Sequence, residues 1–184
     1  MLSQAKFTPA CSRLNKRAYF IFCLCLFFVV PPLNAQICRK GITPQTIALK
    51  NFDFSTPTVA LDVLTGLKWD RCVYGQTWEN STCTGSPIKL TWKEALSVGA
   101  NNNKRLPNIK ELNTILDLQC AIPPVNLKIF PNTPASTENG LWSSTPYILE
   151  DTSITNAWYI DLGFGITTYR AVTTKNFVRF INKE

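Results

Sequence analysis

The chain has 184 residues and not one histidine. Without imidazole, neither a Ser-His-Asp nor a Cys-His nucleophile system can be assembled, and the commonest general base and metal ligand are missing. Cys-x-x-Cys pairs are absent too, which leaves a zinc site without its usual spacing. The tripeptides Glu-Pro-Asn and Gln-Pro-Asp, typical of calcium-dependent sugar binding, do not occur. Leu106-Pro107-Asn108 is only a superficial likeness, because Asn108 serves better as a helix cap. No apolar run reaches the ~20 residues that span a bilayer, and there is no collagen-like or other internal repeat. What remains open to catalysis is a paired-carboxylate hydrolase drawing on Glu138, Glu150, Asp151 and Asp161. These residues sit in a loop-rich acidic stretch, where a solvated surface is the plainer reading. The expectation is a non-enzyme that takes no cofactor and no metal.

What the chain does contain begins with a positive N-terminus. Residues 1–17 carry Lys6, Arg13, Lys16 and Arg17 and no acidic residue. An unbroken apolar run over 18–30 follows, then Pro31-Pro32 and Leu33-Asn34-Ala35. Positive, apolar and small-residue regions in that order predict a secretory signal peptide over 1–35, cleaved after Ala35. A transmembrane anchor is the competing reading, but the run is short and a Pro pair ends it. Ile37 before Cys38 argues against a lipoprotein. Export would place the rest in the periplasm, on the cell surface or outside the cell, with no membrane span once the signal is removed.

The expected mature chain, 36–184, is long enough for one domain with a proper core. Four of the 19 Lys and Arg leave with the signal, so 15 face 12 Asp and Glu, and the formal charge falls from +7 to +3. That balance makes no case for nucleic acid as a partner. Cys11, Cys23 and Cys25 leave as well, and Cys38, Cys72, Cys83 and Cys120 remain. In an oxidising compartment four cysteines allow three pairings. Cys72–Cys83 is the local one, closing a polar loop around Trp78 that cannot bury a core of its own. It leaves Cys38–Cys120 as a long bridge.

Residues 36–58, interrupted by Pro44 and Pro57, read as an extended arm tied down by Cys38. Residues 59–69 alternate as strand around a turn at Thr65-Gly66. Thr91-Trp92-Lys93-Glu94 has capping-box form and opens a helix over 92–98, ended by Gly99. A second box at Asn108–Glu111 opens a helix with Ile109, Leu112, Ile115, Leu116 and Gln119 at helical spacing, stopped by Pro123-Pro124. The stretch 123–140, rich in Pro, Asn, Ser and Thr, reads as a long surface loop and a candidate binding or assembly region. Period-two patterning then predicts strands over 141–145, 157–162, 166–171 and 177–181, the middle pair joined through Gly163-Phe164-Gly165. Helices first and an antiparallel sheet later indicate a single α+β domain.

Seven ordered words carry a family resemblance: LTGLKWDRCVYGQTWENSTCTG, TWKEAL, RLPNIKEL, IFPNTPAS, LWSSTP, AWYIDLGFG and FVRFI. In this order they resemble the Lcl C-terminal domain family, named from the collagen-like adhesin of Legionella, over about 37–182. Members of this subtype also carry an early cysteine and one after the RLPNIKEL helix, which supports Cys38–Cys120. The resemblance implies a C-type-lectin-like fold, and in the adhesin a trimeric domain that binds sulfated glycosaminoglycans. The related formylglycine-generating enzymes use a reactive cysteine pair, whereas here all four mature cysteines have structural partners.

Sulfated or anionic polysaccharide would be gripped by Arg and Lys at close quarters. Two clusters qualify on sequence: Lys104 and Arg105 with Lys110, and Arg170, Lys175 and Arg179 with Lys183. The alternative is that these are solvated edge charges that discourage strand pairing. Trp69, Trp142 and Trp158 are expected in the core, while Trp78 in the stapled loop is the candidate for stacking on a ligand or meeting a partner. The leading expectation is an exported, non-catalytic, lectin-like adhesion module for a polysaccharide or glycosaminoglycan. The runner-up is a structural or assembly subunit of an envelope complex, with a protein partner or further copies of itself.

Overall fold

The computed structural model describes residues 36–42, 44–148 and 155–183. The expected signal peptide, and Glu150 and Asp151 of the carboxylate pool, lie outside the described residues. The chain runs β1 (Ile37–Cys38), a 3₁₀ turn (Leu49–Asn51), β2 (Phe52–Asp53), β3 (Val59–Asp62), β4 (Lys68–Asp70), β5 (Thr77–Glu79) and β6 (Thr82–Thr84). It continues through α1 (Trp92–Asn101), β7 (Lys104–Arg105), α2 (Ile109–Asn113), β8 (Cys120–Ala121), β9 (Ser136–Tyr147), β10 (Asn156–Leu162), β11 (Thr167–Ala171) and β12 (Ile181–Asn182). These form a five-stranded sheet in the order β2-β3-β4-β12-β7, a three-stranded sheet β11-β10-β9, and the two pairs β1-β8 and β5-β6. Each of these strand pairings is antiparallel. Both expected disulfides are formed, Cys38–Cys120 and Cys72–Cys83. The result is the small mixed domain, with antiparallel sheets, few helices and two disulfides, that the sequence indicates, but the helices do not come first: β2, β3 and β4 of the five-stranded sheet precede them.

The three-stranded sheet divides the interior. Leu141 opposes Ile160 and Trp142 opposes Tyr159 across β9 and β10, and successive side chains on a strand point to opposite faces. Leu141 and Ile160 join a core with Trp69, Leu112, Ile129 and Phe130. Trp142 and Tyr159 join a second core with Ala95, Leu106, Val178 and Phe180, closed by α1. Trp69 and Trp142 are fully buried, as expected. Trp158 is half-buried instead, packed edge-on against Tyr147 and Tyr169 at 5.1 and 6.2 Å between ring centres.

Both capping boxes form. Thr91 N–H donates to Glu94 Oε2 at 2.8 Å and Asn108 N–H to Glu111 Oε2 at 2.8 Å, each returned by a Glu N–H to the cap side chain. The helices they open differ from expectation in length. Helix α1 runs through Gly99 to Asn101, because Gly99 is an approach point and not a stop. A Cβ there would stand 3.1 Å from the Phe180 ring and 3.4 Å from the Lys104 carbonyl. Helix α2 ends after five residues. Asn113 Nδ2 and Thr114 Oγ1 donate back to the Ile109 and Glu111 carbonyls, the local bonding by which these side chains compete with helix continuation. Ile115 and Leu116 stay buried from a turn.

Two further expectations are corrected. The stretch 123–140 is not simply a surface loop. Val125, Ile129 and Phe130 are fully buried, and residues from Ser136 onward belong to β9. Two of its polar residues serve its own backbone, Asn126 Oδ1 accepting from Lys128 N–H and Thr133 Oγ1 donating to the Phe130 carbonyl, while Asn132 Nδ2 donates to the Cys83 carbonyl of the hairpin at 2.6 Å. Residues 177–181 form strand only at Ile181, yet all five are buried, because they pass between the two cores. Among the described residues, no helix is long and apolar enough to cross a membrane.

Candidate ligand-binding site

The stapled loop is a hairpin. β5 and β6 pair with Trp78 opposite Cys83, and Asn80 and Ser81 at φ 48° and 63° make the two-residue turn, the geometry whose twist suits a tight hairpin. Trp78 is fixed from behind. The Arg71 guanidinium lies between two rings, 4.5 Å from Phe54 and 4.0 Å from Trp78. Its N–H groups donate to the carbonyls of Pro57, Lys128 and Ile129 at 3.2, 3.0 and 3.0 Å. One indole face is therefore covered by a cation–π contact. Trp78 also lines a groove of about 530 Å³ with Tyr74, Gln76, Asp70, Asn102 and Lys104. Within it Lys104 Nζ donates to Asp70 Oδ2 at 2.7 Å, and Asn182 Nδ2 donates to Asp70 Oδ1 at 2.9 Å.

The two basic clusters do not survive as expected. Arg179 is fully buried, so it is no ligand contact. It lies in the segment between the two cores, its guanidinium 4.4 Å from the Phe130 ring centre. Arg170 donates to the Glu138 carbonyl and stacks over Tyr159 at 4.8 Å. Lys175 is exposed at the following turn, and its charge helps to hold the Glu94 carboxyl below its ordinary range, behind the larger effect of the Thr91 hydrogen bonds. In the first cluster Arg105 makes a two-pronged pair with Glu111, both contacts 2.7 Å. Those bonds raise the Arg105 pKa and lower that of Glu111. Lys110 is exposed.

A different basic group forms in place of these two. Lys68, Arg105 and Lys183, with Thr65 and Asn182, line a recess of about 350 Å³ at the end of the five-stranded sheet. The register explains the meeting: Asn182 on β12 stands opposite Lys104 on β7, and Asn182 Nδ2 donates to the Lys68 carbonyl at 3.2 Å. One member of each expected cluster is thus brought to the same place, and Lys68 joins them. Sequence reasoning missed Lys68, Asp70 and Arg71. Their only signal is the period-two alternation around buried Trp69, which turns Lys68 and Asp70 away from the face that Trp69 occupies. The recess and the groove use the same two strands, β4 and β7: Lys68 and Arg105 line one, Asp70 and Lys104 the other.

The carboxylate pool has other work. Asp161 is buried and accepts the N–H groups of Gly163, Phe164 and Ile166 at 2.9, 2.7 and 2.5 Å, which fastens the turn between β10 and β11. Glu138 is exposed on β9. Among the described residues no group of three or more His, Cys, Asp and Glu is arranged to hold a metal ion.

With this geometry in place, the family comparison is decisive. The family model of the Lcl C-terminal domain matches residues 58–182. The chain belongs to the Lcl C-terminal domain family. The matched part of this Lcl C-terminal domain runs from just before β3 to β12, and so contains the stapled hairpin, both helices, the groove and nearly all of the recess. No curated protein and no solved structure shows significant similarity to the chain.

Proposed function

We propose that the protein is an exported, non-catalytic, lectin-like adhesion module that binds an acidic polysaccharide at the sheet carrying β4 and β7. One observation carries the reading: Lys68 and Lys183, from distant parts of the chain, line one recess that holds no carboxylate, together with Arg105, which is itself paired with Glu111 outside it. Guanidinium and ammonium groups so placed suit sulfate esters or uronate carboxylates. The groove on the same two strands adds Trp78 and Tyr74, aromatic surface for a sugar ring, beside the polar edge of Asp70, Asn102 and Lys104. Membership of an adhesin-associated family supports the same reading. Two disulfides agree with export to an oxidising compartment. The C-type-lectin-like character implied by the family resemblance is part of this proposal. The assembly-subunit alternative was to use 123–140 as its contact surface, but Val125, Ile129 and Phe130 of that stretch are core, which leaves less of it to meet a partner.

Heparin chromatography of the oxidised protein provides the test. Replacing Lys68 and Lys183 by Gln should bring elution forward to clearly lower salt, since each lost cation weakens a screened attraction. The same change at Lys110 and Lys175, which lie outside the recess, should leave elution nearly unchanged. Equal elution of the Lys68/Lys183 variant and the parent protein would remove the recess from the proposal.

A further inference from the structure

A recess of about 710 Å³ opens beside the β1–β8 pair. Gln36, Cys38, Lys40, Gln45 and Leu49 of the N-terminal arm form one wall, and they precede the matched family region. The Cys38–Cys120 bridge, both of whose cysteines line the recess, ties that wall to the rest of the domain. Opposite in charge to its neighbours is Asp117, which lines the recess yet is only 2 % exposed. Its carboxylate accepts only from Gln119, from the backbone N–H at 3.4 Å and from Nε2 at 3.3 Å. Both contacts are long for N–H···O bonds, and among the described residues no cation pairs with it. A buried carboxylate is costly without strong donors, and this one keeps acceptor capacity for more of them.

The other charged groups that line the recess are Lys40 and Lys128, both exposed and neither paired with a carboxylate among the described residues. The charges next in sequence to the lining residues Cys38 and Leu49 are Arg39 and Lys50, also cations. No aromatic ring lines the recess among the described residues, so it lacks the stacking surface that Trp78 offers a sugar in the other groove. It shares no lining residue with that groove or with the basic recess at the end of the five-stranded sheet. One buried carboxylate facing two ammonium groups selects a ligand of the inverse pattern, one ammonium and two carboxylates. A primary ammonium brings the three N–H donors that Asp117 lacks, and each lysine meets a carboxylate as a point charge.

We propose that this recess binds an acidic α-amino acid, with its ammonium on Asp117 and its two carboxylates on Lys40 and Lys128. Isothermal titration calorimetry of the oxidised protein tests it, with L-glutamate and L-aspartate each set against the same dicarboxylate without the ammonium, glutarate and succinate. One of the two amino acids should bind at a single site, roughly tenfold or more tighter than its deaminated partner, the effect of one charge-assisted hydrogen bond. Asp117→Asn, which keeps the shape and an acceptor for Gln119, should abolish that preference. Lys40→Gln and Lys128→Gln, at exposed positions, should each weaken amino acid and dicarboxylate alike. Lys110→Gln, outside the recess, should change neither. The comparison of ligands on the parent protein needs no variant, so the proposal stays testable even if Asp117→Asn fails to fold. No binding of either amino acid, equal affinity for amino acid and dicarboxylate, or a preference that survives in folded Asp117→Asn would overturn it.

Discussion

Arg179 is the residue that best shows how this domain is held together. A guanidinium in the interior is costly unless its donors are satisfied. Here Nη1 donates to the carbonyls of Asp70 and Arg71 at 2.7 and 2.5 Å and Nη2 to Thr133 Oγ1 at 2.8 Å, with the Phe130 ring beneath, while the buried Nε has no hydrogen-bond partner. Burial pushes its pKa down to about 9, partly offset by the Asp70 charge, so it remains a cation at neutral pH. Its two carbonyl partners immediately precede Cys72, and it therefore fixes the chain from which the stapled hairpin and the groove emerge. Arg179→Met should lower the unfolding free energy by about 3–5 kcal/mol, read from urea denaturation, because the carbonyls it serves are left unpaired. Arg179→Lys should recover only part of the loss, since an ammonium lacks the planar fork. A Met variant as stable as the parent would contradict this. None of it was legible in the sequence. An arginine in FVRFI looks like the outward member of an alternating strand, and only the passage of 177–181 between two cores buries every side chain in it. Trp69 and Trp142 were legible as strand-borne aromatics, but the same reasoning placed Trp158 of β10 in the core, where it is only half-buried.

At the scale of elements, what could be read was local and what could not was tertiary. The two capping boxes are four-residue patterns, and both close as the spacing predicts. The end of α2 depends on Leu116, which bridges to Val125 and accepts from Thr46 Oγ1, neither of them its neighbour in sequence. The 123–140 segment misled for the opposite reason: its polar composition is real, but Asn126 and Thr133 serve internal turns and Asn132 holds the hairpin. The boxes also set an acid limit. Hydrogen bonds from Thr91 hold the Glu94 carboxyl below its ordinary value of 4.5, and bonds from Arg105 and Asn108 hold Glu111 below it. A carboxylate with a depressed folded pKa stabilises the native state above its unfolded pKa, and that contribution is lost as pH falls through the folded value. The melting temperature should therefore drop as the protein is acidified below the ordinary carboxylate range. A Glu94→Gln, Glu111→Gln variant, which keeps the cap acceptor but not the charge, should lose less over the same interval. Parallel curves for variant and parent would show that neither carboxylate matters.

Across the whole molecule the two disulfides do different work, and their removal separates them. Cys72–Cys83 spans a sequence separation of 11 and holds a hairpin that contributes Cys83 and half-buried Trp78 but little other apolar surface. Cys38–Cys120 spans 82 and fastens the N-terminal arm. That arm is otherwise held by Ile47 and Phe52 in the core, by Gln36 Nε2 donating to the Pro123 and Val125 carbonyls, and by Arg39 N–H donating to the Gln119 carbonyl. The arm lies outside the matched family region yet helps to cover the core beside Leu116 and Val125. In the chain-entropy model the short bridge contributes about 3 kcal/mol and the long one about 4–5 kcal/mol, both upper estimates. A Cys38→Ser, Cys120→Ser variant should accordingly show the larger fall in urea midpoint, with the arm and the main core melting together. A Cys72→Ser, Cys83→Ser variant should instead show a change in tryptophan emission ahead of global unfolding, as Trp78 leaves Arg71 while Trp69 and Trp142 stay packed. If the short bridge proved the more damaging to global stability, the hairpin would have to be an integral part of the core. The roles of the two bridges would then be reversed.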